Sequence, residues 1–155
     1  MAEVLMRSQW YPTSEVDSVD YPAEVRSIVN QFFGADHECF LGRGLADGDW
    51  LVSALVGADC VAYASAHRYD HLDLPLVHLD EIVVDFAWRR RGIGRLLLVA
   101  VAQLVLDAYP EVDTLTAGVK AHGNERAARR KFFLRAGFVE DEDGVWMVAV
   151  NRLLE

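Results

Sequence analysis

The run Arg89-Arg90-Arg91-Gly92-Ile93-Gly94-Arg95 constrains the fold more than any other part of the chain. It follows a stretch, Leu79 to Val84, that reads as a buried strand, and it opens a long apolar segment from Ile93 that reads as a helix. Two glycines at the junction let backbone N–H groups turn toward a ligand without interference from a Cβ. The helix N-terminus adds partial positive charge, and four arginines surround it. A strand, a glycine-and-arginine turn and a helix together describe a cradle for a polyphosphate.

The charge balance sharpens this. The formal net charge is -9, yet nine of the fifteen Lys and Arg residues fall in two short segments. One holds Arg89, Arg90, Arg91 and Arg95; the other holds Arg126, Arg129, Arg130, Lys131 and Arg135. Each stands near an expected helix start, which points to one anionic ligand held between them. The acidic total argues against nucleic acid as a partner, which needs a surplus of positive charge along a face.

At 155 residues the chain is expected to form one domain with a sizeable core. Its 52% apolar and 25% charged residues are those of a globular protein. The N-terminus has an early acid and no signal-peptide core, and the run Leu96 to Leu106 is too short to span a bilayer, so a cytoplasmic protein with no membrane partner is expected. Cys39 and Cys60 offer no disulfide framework, and the five histidines form no metal-ligand spacing, so no metal site is expected.

Element order reads as mixed α and β. Met1 to Arg7 suggests a first strand, and Tyr21-Pro22-Ala23-Glu24 a helix start, with a stripe of Val25, Ile28, Val29, Phe32 and Phe33 ending at Gly34. Residues 35–48 fit a short helix or a loop. Trp50 to Val56 and Cys60 to His67, joined by Gly57-Ala58-Asp59, read as a hairpin, and Leu76 to Asp85 as a further strand. A helix from Ile93 to Tyr109, a strand from Thr114 to Val119 and a helix capped by Asn124 and closed by Gly137 follow. Phe138 to Glu140 and Val145 to Val150 read as a closing β pair.

With these elements in order, the chain resembles the GNAT superfamily of acyl-CoA-dependent N-acetyltransferases. The family's signature, Gln/Arg-x-x-Gly-x-Gly/Ala between a strand and a helix, stands here as Arg89-Arg90-Arg91-Gly92-Ile93-Gly94 after Ile82-Val83-Val84. Its second motif is an Asn, a small residue, an aromatic pair and Gly-Phe, filled by Asn124, Ala127, Phe132-Phe133 and Gly137-Phe138. The resemblance implies an α/β fold with a central, mostly antiparallel sheet of about six to seven strands flanked by helices, and a splayed strand pair at the acyl-CoA site.

It also implies the ligand and its contacts. The amides of Arg89 through Gly94 take the pyrophosphate of acetyl-CoA, with Arg95 an addition. The backbone of Ile82, Val83 and Val84 binds the pantetheine arm, and Asn124 contacts that arm near the thiol. The second aromatic of the pair is commonly a Tyr that protonates the departing thiolate; here it is Phe133, which the resemblance places among the cofactor-binding residues and which has no proton to give. Phe86 stands where the family often has Pro.

Acetyl transfer to an amine needs a proton acceptor, a donor for the developing oxyanion, here a strand N–H such as that of Val83 or Val84, and a tolerable leaving group. Glu81 and Asp80 lie in the strand before the pantetheine segment. Alternation of side chains implies that only one of them faces the acceptor, with Glu81 the first candidate for base or amine-positioning group. His122, in the loop before Asn124, is a minor candidate. Acids around Asp70, Asp73, Asp80 and Glu81 favour a cationic amine, which leaves small amines, amino acids, polyamines and aminoglycosides open.

The rival reading is an acyl-CoA-binding sensor that has lost catalysis, motivated by Phe133. A dinucleotide-binding oxidoreductase fits poorly, because no G-x-G-x-x-G follows the first strand. Closing strands of this kind pair between chains in the family, which leaves a homodimer open.

Overall fold

A computed structural model of the chain describes residues 3–11, 21–33, 49–68, 76–118 and 123–155. Seven strands form one sheet: β1 (Leu5–Tyr11), β2 (Asp49–Val56), β3 (Asp59–Arg68), β4 (Leu76–Val84), β5 (Thr114–Ala117), β6 (Val139–Glu140) and β7 (Trp146–Ala149). Their order is β1-β2-β3-β4-β5-β7-β6, and only the β4–β5 pair is parallel. That one parallel pair is joined by the crossover helix α2 (Ile93–Ala108), as parallel neighbours require. Helices α1 (Ala23–Phe33), α3 (Gly123–Ala136) and α4 (Val150–Leu153) complete the described elements. The mixed, mostly antiparallel sheet flanked by helices is the architecture expected from sequence.

The two faces of the sheet are built differently. On β3, Ala62, Ala64 and Ala66 are fully buried in the cluster that holds Leu97, Leu98, Val101, Ala102 and Val105 of α2. Three alanines in alternate positions let a thick apolar helix lie close to the strand. Phe133 and Ala136 of α3 and Val150 and Leu153 of α4 join the same cluster. On the opposite face Val25, Ile28 and Val29 of α1 pack on Leu51, Tyr63 and Val83.

Several boundaries differ from the sequence reading. β1 starts later and runs to Tyr11, because it pairs along the whole of β2, from Leu5↔Leu55 to Tyr11↔Asp49. The last strand ends at Ala149, and Val150 turns into α4, where its side chain and that of Leu153 are buried beside α2. A short 3₁₀ turn, Phe86–Trp88, capped by Asp85 on the Ala87 amide at 3.0 Å, ends β4. Helix α3 opens at Gly123, so Asn124 stands in its first turn rather than at the cap. Tyr69 to Pro75, His122 and the ambiguous 35–48 segment lie outside the described residues.

Candidate active site

The site is built around β4, which leaves one neighbour before the other. Its pairing with β3 continues to Val84, whereas its pairing with β5 runs only from Leu76↔Thr114 to Leu79↔Ala117. Among the described residues no strand covers the β5 side of Asp80 to Val84. The Asp85 amide donates to the Val61 carbonyl at 2.9 Å. With the one-to-one register above it, that makes Val83/Tyr63 and Glu81/Ser65 the pairs that exchange hydrogen bonds. Backbone groups of Ile82 and Val84 therefore point into the gap. Val83 does not share this role: its backbone serves β3, and its side chain is buried against α1. Alternation of backbone direction is the reason, and of the two amides expected as oxyanion donors only that of Val84 points away from β3.

At the end of β4 the chain enters the glycine-and-arginine loop. Arg90 takes a left-handed conformation (φ 62°), an uncommon choice for a residue with a Cβ, and Gly92 follows at φ 80°. Gly92 is the N-cap of α2 and supplies no side-chain acceptor, so the opening turn keeps its amides of Ile93, Gly94 and Arg95 for an anion. A Cβ built on Gly92 meets nothing within 4 Å, which leaves room there for a ligand. Gly94 has another reason to be glycine. A Cβ there would stand 2.8 Å from Cε2 of Phe132, so its absence lets α3 seat that ring against the start of α2.

The arginines divide their work. Arg89 Nε donates to the Val84 carbonyl at 3.0 Å, and its guanidinium lies 3.9 Å over the Phe86 ring, which stacks on Phe32 of α1. Arg91 lies 4.7 Å over Trp88. These two side chains brace the loop; Arg90 and Arg95 lie on either side of Gly92 in sequence. In the second basic segment, Arg130 pairs with Glu140 at 3.1 Å and stands over Trp146.

Phe133 is placed differently from its expected cofactor contact. It is 1% exposed and packs on Phe138 and Trp146, with ring centroids 4.9 and 6.2 Å away. A ring enclosed on this scale presents almost no surface to a cofactor. Phe132, half-buried at Gly94, is the aromatic at the loop.

The two carboxylates hold the largest surprise. Ser65 pairs with Glu81 and Ala66 with Leu79, so Asp80 is an extra residue on β4, a β-bulge. Strict alternation would send Asp80 and Glu81 to opposite faces; the bulge puts both on the α1 face. Their partners show it, since Tyr63 and His67, two alternate pairs apart on β3, share one face. Tyr63 donates its hydroxyl to Glu81 Oε2 at 2.8 Å, and Tyr21, just before α1, donates to Oε1. His67, itself buried, meets Asp80 Oδ2 through Nδ1 at 2.5 Å. Burial, reinforced by the charge of Glu81, pushes the Tyr63 phenol far above the usual tyrosine range, so it remains a donor at any working pH.

Tyr21, Tyr63 and His67 were not singled out from sequence. A signal existed for two of them: Tyr63, Ser65 and His67 alternate with three alanines, a polar face set against a small one. A cleft of about 330 Å³ lies between α1 and the β2–β3 hairpin, lined by Glu24, Gln31, Asp59, Cys60 and Trp88 among others, and it reaches neither Asp80 nor Glu81. Burial pushes the Cys60 thiol up to about 11, so it is not a nucleophile at neutral pH.

A family model described as the GNAT acetyltransferase family matches residues 7–138. No functionally curated protein matches the chain. Solved structures share the fold at low identity. The GNAT-family protein of Desulfovibrio desulfuricans is 20% identical, with a TM-score of 0.66 over 96% of this chain and 99% of that one. YhhK of Escherichia coli, solved with coenzyme A, is 18% identical, with a TM-score of 0.63 over 95% and 98%. Escherichia coli ElaA is 19% identical, with a TM-score of 0.63 over 94% and 99%.

Proposed function

The chain belongs to the GNAT acetyltransferase family, and on that premise we propose that it is an N-acetyltransferase of one domain that moves acetyl from acetyl-CoA to a primary amine by direct attack. The observation that carries the reading is the end of the β4–β5 pairing at Leu79↔Ala117 while β4 stays paired to β3, with an α2 N-terminus that has no side-chain cap and two carboxylates just past the last β4–β5 pair. The residues fit coenzyme A: space is open at Gly92, the first three amides of α2 have no partner within the helix, and Ile82 and Val84 turn backbone groups away from β3. Bound acetyl-CoA supplies the acetyl group as a thioester.

On this reading each part of the site has its own task. Amides of Ile93, Gly94 and Arg95, with Arg90, bind pyrophosphate at the positive end of α2. The backbone of Ile82 binds the pantetheine arm as an added strand would. The Val84 amide donates to the thioester oxygen as it gains charge. Asp80 and Glu81 take the acceptor amine on the α1 face, and their charge favours a cationic amine. By the family resemblance Asn124, in the first turn of α3, takes the arm near the thiol, and His122 stands two residues before it in sequence.

Release of free thiol from acetyl-CoA across a panel of primary amines tests the reading; coenzyme A binding without turnover of any amine sinks it. That result would favour a second reading, an acyl-CoA sensor, for which the observation is Phe133, buried and without a hydroxyl where the family commonly has its acid. A sensor keeps its ligand response in Glu81→Gln and loses it in Gly92→Asp.

A further inference from the structure

The β4 bulge gives the α1 face two neighbouring carboxylates with unlike surroundings. Each oxygen of Glu81 accepts from a phenol, Tyr21 on one and Tyr63 on the other. With a phenol on each oxygen, the carboxylate is fixed in orientation and part of its accepting capacity is already used. Among the described residues Asp80 is held on one side, by His67 Nδ1 at Oδ2, and its side chain is 28% exposed against 6% for the histidine. It is the first residue beyond the last β4–β5 pair, Leu79↔Ala117, at the mouth of the gap.

Resting on the acetyltransferase reading, we infer that the two carboxylates divide the handling of the acceptor: Glu81, clamped by Tyr21 and Tyr63, holds the ammonium, and Asp80, braced by His67, takes its proton. Asp80 is then a catalytic residue, and Tyr21, Tyr63 and His67 are positioning residues. In the step itself, one ammonium N–H breaks and its proton forms an O–H bond on Asp80. The freed nitrogen pair forms the N–C bond to the acetyl carbon while the C–S bond breaks. A second proton from that nitrogen passes to the departing sulfur, giving amide and thiol, and Asp80 returns its proton to water.

The titratable groups around this face among the described residues are Arg7 on β1, Cys60, Tyr63 and His67 on β3, His78 and Glu81 on β4, Tyr21 before α1 and Glu24 on α1, which pairs with Arg7 at 3.1 Å. β5 adds Thr116, which holds His78 Nδ1 at 2.7 Å.

The test is steady-state kinetics on the full chain with an amine that the wild type accepts, with the rise in Tm caused by coenzyme A measured for each variant to show that it is folded. Asp80→Ala should lose about a hundredfold in kcat, as loss of a general base does, with amine KM little changed. Added formate should restore part of the rate. Glu81→Gln should instead raise amine KM about tenfold and keep the acid limb of the pH profile. His67→Gln, which removes the brace from Asp80, should lower kcat and leave amine KM little changed. Formate rescue of Glu81→Ala but not of Asp80→Ala would overturn the division, as would an acid limb lost in Glu81→Gln and kept in Asp80→Asn. A wild type that binds coenzyme A and acetylates no amine overturns the acetyltransferase reading and this assignment with it; an active wild type with the roles reversed overturns this assignment alone.

Discussion

The Arg89–Arg95 loop and the Asp80–Glu81 step lie close together along one strand-to-helix passage, yet they depend on different parts of the chain. The loop works through backbone. Its amides are offered because Gly92 supplies no cap and Gly94 carries no Cβ, and Arg89 and Arg91 are spent on bracing it against Phe86 and Trp88. The step works through side chains, and these point where they do because one extra residue interrupts the β3–β4 register. A backbone site can be carried by a short run of residues. A side-chain site at a bulge needs the neighbouring strand.

The change of largest expected effect removes what both regions rest on. Phe133→Ala opens the core where α3 meets β7 and should cost about 3–5 kcal/mol in urea unfolding, the range for a buried Phe truncated to Ala. If the loss were under about 1 kcal/mol, Phe133 would be less enclosed than its contacts imply.

Next comes the change that separates the regions. Gly92→Asp places a negative group at the anion site and should weaken coenzyme A at least about a hundredfold, or about 2.7 kcal/mol. Calorimetric titration measures it, and Asp80→Asn should bind coenzyme A as the wild type does. Equal losses in both variants would mean that loop and step are one unit.

Gly94→Ala sharpens the account of the loop. The new methyl meets the Phe132 ring, and overpacking of this kind costs about 1–3 kcal/mol. Gly94→Ala combined with Phe132→Leu should recover part of that loss, and no recovery would place the role of Gly94 with the ligand instead.

The smallest effect concerns a group outside both regions. In a Cys39→Ser background, Cys60 should react with iodoacetamide about a hundredfold more slowly at pH 8 than a thiol of ordinary acidity, through its smaller thiolate fraction alone. The raised thiol also carries a sign for stability. The fold favours the protonated form, so its contribution is complete below pH 9 and fades as pH rises toward about 11. Fast alkylation at pH 8 would show that the wall of the α1 cleft opens.

Much of the fold was legible because its signals are local. The hairpin turn at Gly57, the proline after α2 and the run of apolar residues in α2 each act within a few residues. The start of β1 was misplaced because only the length of β2 defines it, and α4 was missed because four residues have no period to read. At the site, residues 89–95 stood out as a unit, and Glu81 and Asp80 were found as candidates. Tyr21, 60 residues from Glu81 in sequence, had nothing local to mark it.

By itself the sequence determined that two glycines, four arginines and a helix N-terminus would meet at the start of α2, since these are properties of consecutive residues. Only the tertiary structure decided how the rest of the site is arranged. It turned Val83 toward β3, buried Phe133 in the core and put Asp80 and Glu81 on one face. The physical reason is that strand pairing is settled between residues far apart in the chain. A single bulge reverses the direction of every side chain beyond it, and no short run of residues announces it.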